Sequence, residues 1–347
     1  GTETGQATAK SILTQVSGTF FLPLDFPWSV NRVVERIRPD VFILMETELW
    51  PNLINSLKRH ETRIILVNGR ISDRSYPRYK FMRPLFSKTL EQIDLFLMSS
   101  ELDAMRIIDI GASPDRVHIT GNTKFDAVCS GIDESAPERI SGILHLDAES
   151  RVLVAGSTHP GEEEAVLDAY SALIRQFPDL VLIIVPRHVE RAPEIVSLLS
   201  SRSLPEPFLR SSVETGSSRE GRPIVIWDKT GELRDVYSVA SVVFVGGSLV
   251  KKGGQNIIEP AVWEKIVVFG PSMEDFRDAR DILIGCRSGI EVRNVKELVS
   301  AFQRVLADPA TYRTLAANGR ETLMSHRGSA ARNAQFISRY LMARERA

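Results

Sequence analysis

Short runs rich in β-branched and large apolar residues alternate with amphipathic helical segments along almost the whole chain. This alternation is the strongest constraint on its fold. Strands are predicted at residues 41–45, 63–67, 95–98 and 117–120, and again at 151–155, 181–185, 223–226, 241–245 and 266–269. Helical patterns at 28–37, 52–58 and 102–110 separate the first set. The second set alternates with patterns at 162–176, 192–200, 233–239, 295–306 and 310–322. A strand reached through a helix runs parallel to its predecessor, so each set reads as a parallel sheet with helices on both faces. At 347 residues the chain is too long for one ordinary core. The expectation is an α/β chain with two Rossmann-like β/α/β domains and a crevice between them. The joint falls in the small, acidic stretch SGIDESA, residues 130–136. That gives domains of residues 1–135 and 136–328, with residues 329–347 as a helix packing back on the first domain.

Composition narrows the function. With 43% hydrophobic and 25% charged residues the chain belongs to the soluble globular class. Its net charge of -1 supplies no basic excess to neutralise a polyphosphate, which argues against a nucleic-acid partner. Cys129 and Cys286 are far apart and form no CxxC, so both read as reduced structural thiols. The six histidines are scattered and no metal-ligand cluster is visible. No apolar run approaches the ~20 residues of a membrane span. The opening Gly1-Thr2-Glu3-Thr4-Gly5 has neither an initiator Met nor a leader, so the sequence reads as one that has lost its true N-terminus.

Ligands of open parallel sheets bind beyond the carboxyl ends of the strands, and the polar clusters are sorted by that rule. After the strand at 241–245 come Gly246, Gly247 and Ser248, then Gly253-Gly254, Gln255-Asn256, Ile257-Ile258 and Glu259-Pro260. Glycines at a strand end leave amide N–H groups free to face a phosphate, and Pro260 with Glu259 as cap suits a helix start. The same residues also fit two loops and a capped helix. Ser157 and Thr158, in GSTHPGEE, donate to a phosphate or cap the helix at Glu162. Pro186-Arg187 follows the strand at 181–185, and the Arg187 fork suits a phosphate. Gly231-Glu232-Leu233 adds a second carboxylate for sugar or base recognition.

The first half carries its own clusters. Glu46 and Glu48 follow the strand at 41–45 and share a face if extended, or belong to a helix start. Lys124 follows a Gly-Asn turn and either counters charge on a leaving phosphate or is an ordinary turn lysine. Residues 68–88 hold Arg70, Arg74, Arg78, Lys80, Arg83 and Lys88 against the single acid Asp73, interleaved with Tyr76, Tyr79 and Phe81. This stretch is either a solvated face or a surface for anionic lipid headgroups and phosphates.

In order and spacing these motifs resemble the 3-deoxy-D-manno-octulosonic acid (Kdo) transferases of lipopolysaccharide assembly. The matching stretches are residues 2–5, Leu22-Pro23-Leu24-Asp25, METELWPN (45–52), NGRIS (68–72), GNTKFD (121–126), GSTHPGEE (156–163), PRH (186–188), GEL (231–233) and GGS…GGQN..EP. The resemblance implies a GT-B fold, two Rossmann-like domains facing a central cleft. It implies an inverting transferase moving Kdo from CMP-Kdo to the lipid A precursor, at the cytoplasmic face of a bacterial inner membrane and without a metal or other cofactor. In that pattern Pro186, Arg187, Gly231, Glu232, Leu233, Asn256, Ile257, Ile258 and Glu259 contact the cytidine nucleotide. Glu46 and Lys124 stabilise the transition state. For an anionic glycolipid acceptor the basic segment, with Arg70, Arg74, Arg78, Tyr79 and Arg83, is expected to lie beside the acceptor route. Two departures stand out. Gln255 occupies a position where the family commonly has His, and the general base, a glutamate in an SVGE-like motif, lies upstream of the residues matching 2–5. The chain as given is therefore expected to bind CMP without transferring Kdo. The other readings are a different GT-B nucleotide-sugar transferase and a non-catalytic module holding CMP or an anionic lipid.

Overall fold

The structure is a computed structural model that describes residues 3–129, 132–147 and 149–345. Thr2 of the opening motif, Ser130 and Gly131 of the expected joint, and the last two residues of the terminal segment lie outside the described residues. Contacts divide the chain into two units, Gly1–Asn122 with Ser329–Ala347, and Thr123–Gly328.

The first unit is built on β1 (Val41–Met45), β2 (Arg63–Gly69), β3 (Leu95–Met98) and β4 (Val117–Ile119), all parallel and in sequence order. Alternating side chains divide each strand between two layers. Leu44, Ile64, Leu66, Phe96 and Met98 pack with Val30 and Val34 of helix Pro27–Ile37 and Leu53, Ile54 and Leu57 of helix Pro51–Arg59. On the opposite face Ile65, Val67, Leu95 and Leu97 are covered by Phe336, Ile337 and Tyr340 of helix Ser329–Glu345. Asp25, from the LPLD motif, reaches across to accept from the Asn52 and Leu53 N–H groups at 3.1 and 2.8 Å. It thereby satisfies donors that the first turn of helix Pro51–Arg59 leaves open. Residues 68–88 contain two short helices, Tyr76–Phe81 and Arg83–Leu90, where the sequence showed only a run of charge.

The second unit is a seven-stranded parallel sheet. Its strands are β5 (Val152–Thr158), β6 (Val181–Pro186), β7 (Phe208–Leu209), β8 (Ile224–Ile226), β9 (Val242–Val245), β10 (Val267–Phe269) and β11 (Gly289–Glu291). Their order is β11-β10-β9-β5-β6-β8-β7. Val152 and Val154 face one helical layer, Leu153 and Ala155 the other, and all four are buried. β7 and β11, with two and three residues, are edge strands too short to show a period, and the sequence pattern missed both. Helices Thr123–Cys129 and Ala136–Leu144 place Phe125, Val128, Ile140 and Leu144 in this core. Apolar burial therefore draws residues 123–129 and 132–135 into the second unit. The boundary is at Asn122/Thr123, ahead of the joint expected at residue 135.

Chain order reverses at β5. It continues through β6 on one side, and β9 is its neighbour on the other. The crevice beyond the carboxyl ends of β5 and β9 is the switch point at which doubly wound sheets take ligands.

Candidate functional site

Two loops meet at that switch point, 156–161 after β5 and 246–249 after β9. Their glycines answer first to packing. A Cβ on Gly246 would lie 2.3 Å from the Ser157 carbonyl oxygen and 2.7 Å from the Thr158 Cα, backbone atoms with nowhere to go. Gly246→Ala is expected to destabilise the chain by about 3 kcal/mol, the upper range for overpacking. Urea denaturation with an unchanged midpoint would contradict that close approach.

Four amides of these loops are already bound within the chain. Glu162, fully buried at the start of helix Glu162–Leu173, takes them. Its Oε2 accepts from His159 N–H at 3.0 Å and Gly247 N–H at 2.7 Å. Its Oε1 accepts from the Ser248 and Leu249 N–H groups, both at 2.9 Å. The Gly246 N–H donates to the Gly156 carbonyl at 2.8 Å. Gly246, Gly247 and Ser248 were expected to cradle a phosphate; instead the Gly246 N–H is spent on the Gly156 carbonyl and an internal carboxylate takes those of Gly247 and Ser248. The second glycine pair is likewise engaged, Gly253 donating to Ser272 Oγ and Gly254 to the Gly247 carbonyl. The Gln255 side chain lies against Gly247.

An arginine and two histidines stand at this end of the sheet. Arg187 follows β6, its N–H held by the Thr158 carbonyl at 3.0 Å, and its side chain is exposed. His188 beside it is exposed, with its ring 6.2 Å from that of His159. His159 is 9% exposed and its Nε2 has no hydrogen-bond partner among the described residues. Burial pulls this imidazole below its usual range; Glu162 opposes the shift, and Lys252, His188 and Arg187 add to it. Ser157 is half-buried in a left-handed conformation at φ 53, whereas Thr158 is fully buried beside Glu163 and is not exposed to a ligand.

Two carboxylates flank these groups. Asn256 Nδ2 donates to Glu259 Oε1 at 2.9 Å, and Asn256 Oδ1 accepts from the Ile258 N–H at 3.1 Å. Asn256, not Glu259, therefore satisfies the entry to the short helix Ile258–Val262; Glu259 and Pro260 lie inside it. Burial raises the Glu259 carboxyl above its ordinary range, with Asn256 and Arg234 pulling it down. Ile257 and Ile258 are 0% and 1% exposed, backbone included, so neither is open to a ligand. Pro186 is buried as the last residue of β6. Gly231 adopts φ 85, a turn that suits glycine, and delivers Glu232 back toward the sheet. There Trp227 Nε1 donates to Glu232 Oε2 at 3.0 Å and Arg210 Nη2 to Oε1 at 3.3 Å. Glu232 is thus held internally, and Leu233 packs on the core. Sequence reading missed Glu162, Trp227 and Arg210. The paired glutamates of GSTHPGEE were the available signal for the first.

Lys124 lies in the second unit, not the first. Its Nζ is 3.4 Å from the Asp275 carbonyl oxygen and 4.6 Å from the centre of the Phe276 ring, because buried Phe125 pins its helix there. In the first unit, Glu46 leaves β1 with φ 56 and an exposed side chain, so Glu46 and Glu48 do not lie on one extended strand face. Asn68, leaving β2, also has a left-handed φ of 55. Such backbone in non-glycine residues concentrates at functional sites. Thr47 Oγ1 accepts from the Arg70 N–H at 3.0 Å and so ties the two strand exits together.

In the basic segment Asp109 pairs with Lys80 at 2.9 Å and accepts from Tyr76 Oη at 2.5 Å, an acid the segment itself does not contain. Tyr79 stacks edge-on with Phe86 at 4.7 Å; burial, then Glu48, raises its phenol above the usual range. Arg74, Arg78 and Arg83 are exposed beside Phe81, Met82 and Leu85, which are 89%, 43% and 52% exposed. Among the described residues no group of three or more His, Cys, Asp or Glu could hold a metal ion, and no helix is long and apolar enough to cross a membrane.

Residues 1–127 match the family model described as 3-deoxy-D-manno-octulosonic-acid transferase (kdotransferase). The chain is 31% identical over 342 residues to the 3-deoxy-D-manno-octulosonic acid transferase of Haemophilus influenzae, covering 98% of this chain and 79% of that protein. It is 38% identical over 286 residues, 82% of its length, to a bifunctional glycosyltransferase/methyltransferase of Fusobacterium nucleatum, and spans only 44% of that protein. In structure it is similar to a glycosyltransferase from Rickettsia africae, with a TM-score of 0.65 at 11% identity, over 98% of this chain and 87% of the other.

Proposed function

The chain belongs to the 3-deoxy-D-manno-octulosonic acid transferase family, and from that membership we propose that it transfers Kdo from CMP-Kdo to the lipid A precursor in lipopolysaccharide assembly. Its fold is of the GT-B class, two parallel-sheet α/β units. The observation that carries the donor reading is the position of Arg187, exposed at the end of β6 beside the β5/β9 switch point, next to His188 and within electrostatic reach of His159. In this reading Arg187 binds the CMP phosphate, Asn256 and Glu259 take the ribose hydroxyls, and Ser157 donates from the β5 loop. Glu162 holds the two loops in the geometry this needs, as an internal counter-anion that fixes their amides in advance. A general base removes the proton of the acceptor hydroxyl, which attacks the anomeric carbon as CMP leaves, with inversion. Glu46 and Lys124 stabilise the charge that develops, Arg187 counters the leaving phosphate, and no metal is required.

The acceptor is a phosphorylated glycolipid at the cytoplasmic leaflet of the inner membrane. Exposed arginines interleaved with Tyr79, Phe81 and Leu85 suit a surface of that kind, the cations meeting headgroups and the apolar side chains entering below them. Replacing Arg78 and Arg83 with glutamate is expected to abolish sedimentation with anionic vesicles and to leave CMP affinity unchanged. Vesicle binding that survives the charge reversal would return Arg70, Arg74, Arg78, Tyr79 and Arg83 to a solvated surface.

The transfer itself is tested with the active enzyme, CMP-Kdo and lipid A precursor. The expected product has gained Kdo, with one CMP released per transfer. Transfer from a uridine diphosphate sugar in place of CMP-Kdo would overturn the reading.

A further inference from the structure

The second unit carries another polar cavity, at the end of its sheet opposite the switch point. It is about 370 Å³ and sits under the amino ends of β5, β9 and β10, where Ser150, Ser241, Lys265 and Arg313 line it. That volume is within the range of small-ligand sites. Several charges bordering it are already paired. Arg151 is bound by Asp179 at 2.7 Å, and Glu264 by Arg320 at 2.8 Å. Lys265 and Arg313 have no ion-pair partner within the described residues, and only Glu149 stands against them as an unpaired carboxylate. Ser241 Oγ accepts from the Val152 N–H and Ser150 Oγ from the Asp147 N–H, both at 3.0 Å. Each hydroxyl hydrogen is thereby left free to donate.

Two cations and two hydroxyl donors lining one polar cavity form the donor set of an oxyanion site. We propose that this cavity binds a small phosphate-bearing anion, held by Lys265 and Arg313 with Ser150 and Ser241. Burial pushes the Lys265 ammonium down to about 8, with Glu264 opposing and Arg313 adding to the shift. A negative charge beside it favours the charged ammonium and raises it again. Facing Lys265 are Glu149, Arg151, Glu264, Arg313 and the Tyr312 phenol. The Lys265 charge is lost near pH 8, so binding weakens as pH rises through the value it takes in the complex. The cavity is remote from Arg187, so the proposal stands or falls independently of the donor reading.

The test titrates inorganic phosphate and, separately, glycerol 3-phosphate into the chain by calorimetry at constant ionic strength. Saturable binding is expected, weakened about tenfold or more in Lys265→Met, as for loss of a charged hydrogen bond, and retained in Lys265→Arg and Arg187→Ala. The tighter of the two probes distinguishes free phosphate from a phosphate monoester as the occupant. After reductive ¹³C-methylation, the resonance absent from Lys265→Met is expected to titrate near pH 8 and to move upward with phosphate. Absence of saturable binding would overturn the site. So would binding that persists in Lys265→Met and is lost in Arg187→Ala, or a Lys265 titration indifferent to phosphate.

Discussion

Glu162→Ala is expected to cost about 3–5 kcal/mol of folding stability, the range for removing one partner of a buried charged network. The carboxylate accepts four backbone N–H groups at 2.7–3.0 Å from two separate loops. Alanine leaves all four donors without a partner in a fully buried position. Each orphaned donor costs roughly 1–3 kcal/mol, and water entering the vacated space recovers part of the sum. Glutamine does not rescue, since its amide nitrogen sets donor against donor. The effect should be local before it is global. Amide exchange at His159, Gly247, Ser248 and Leu249 accelerates well below the denaturation midpoint, and CMP affinity falls with it. Unchanged exchange at those four amides would mean that Glu162 does not hold the loops.

Glu46→Gln in the active enzyme is expected to lower kcat by about 10²–10³, the loss typical of one electrostatic group acting on the transition state. KM for CMP-Kdo should change little. Glu46 is exposed at the exit of β1 with a backbone φ of 56, and no cation lies within ion-pair distance of it among the described residues. Its charge is therefore available to a reacting centre, and left-handed backbone in a non-glycine residue is concentrated at functional sites. Glutamine keeps the shape and removes only the charge. A variant that raises KM for CMP-Kdo and spares kcat would assign Glu46 to binding.

The parallel architecture was legible because strands such as β2 and β6 are unbroken apolar runs bounded by polar loops, which a buried strand requires. Strand and helix boundaries for the long segments agree to within a few residues for the same reason. β7 and β11 were not legible, since two or three edge residues carry no period. The two short helices in residues 68–88 were obscured by charge, and Pro77 and Pro84 at their starts were the overlooked signal. The boundary was misplaced because composition shifts at 130–136, whereas buried Phe125 and Val128 commit the chain to the second core earlier.

At the site, the sequence located the strand-end loops but not the direction of their amides. Glycine pairs announce close backbone approach without saying whether a ligand or an internal carboxylate fills the space. Here Glu162 fills it, and Gly246 is needed because the Ser157 carbonyl lies against it. Arg187, by contrast, is where its position after β6 put it, exposed and beside the switch point. Glu232 shows the limit of that rule. It follows β8 as expected, yet Trp227 and Arg210 bind it internally.

The most direct measurement is calorimetric titration of CMP into this chain, with Arg187→Ala alongside. A one-site isotherm is predicted for the parent, weakened by roughly 1.5–3 kcal/mol in the variant, the range for hydrogen bonds to charged groups. CMP binding of equal strength in Arg187→Ala, or no saturable heat in the parent, would contradict a CMP-sugar donor site at the β5/β9 switch point.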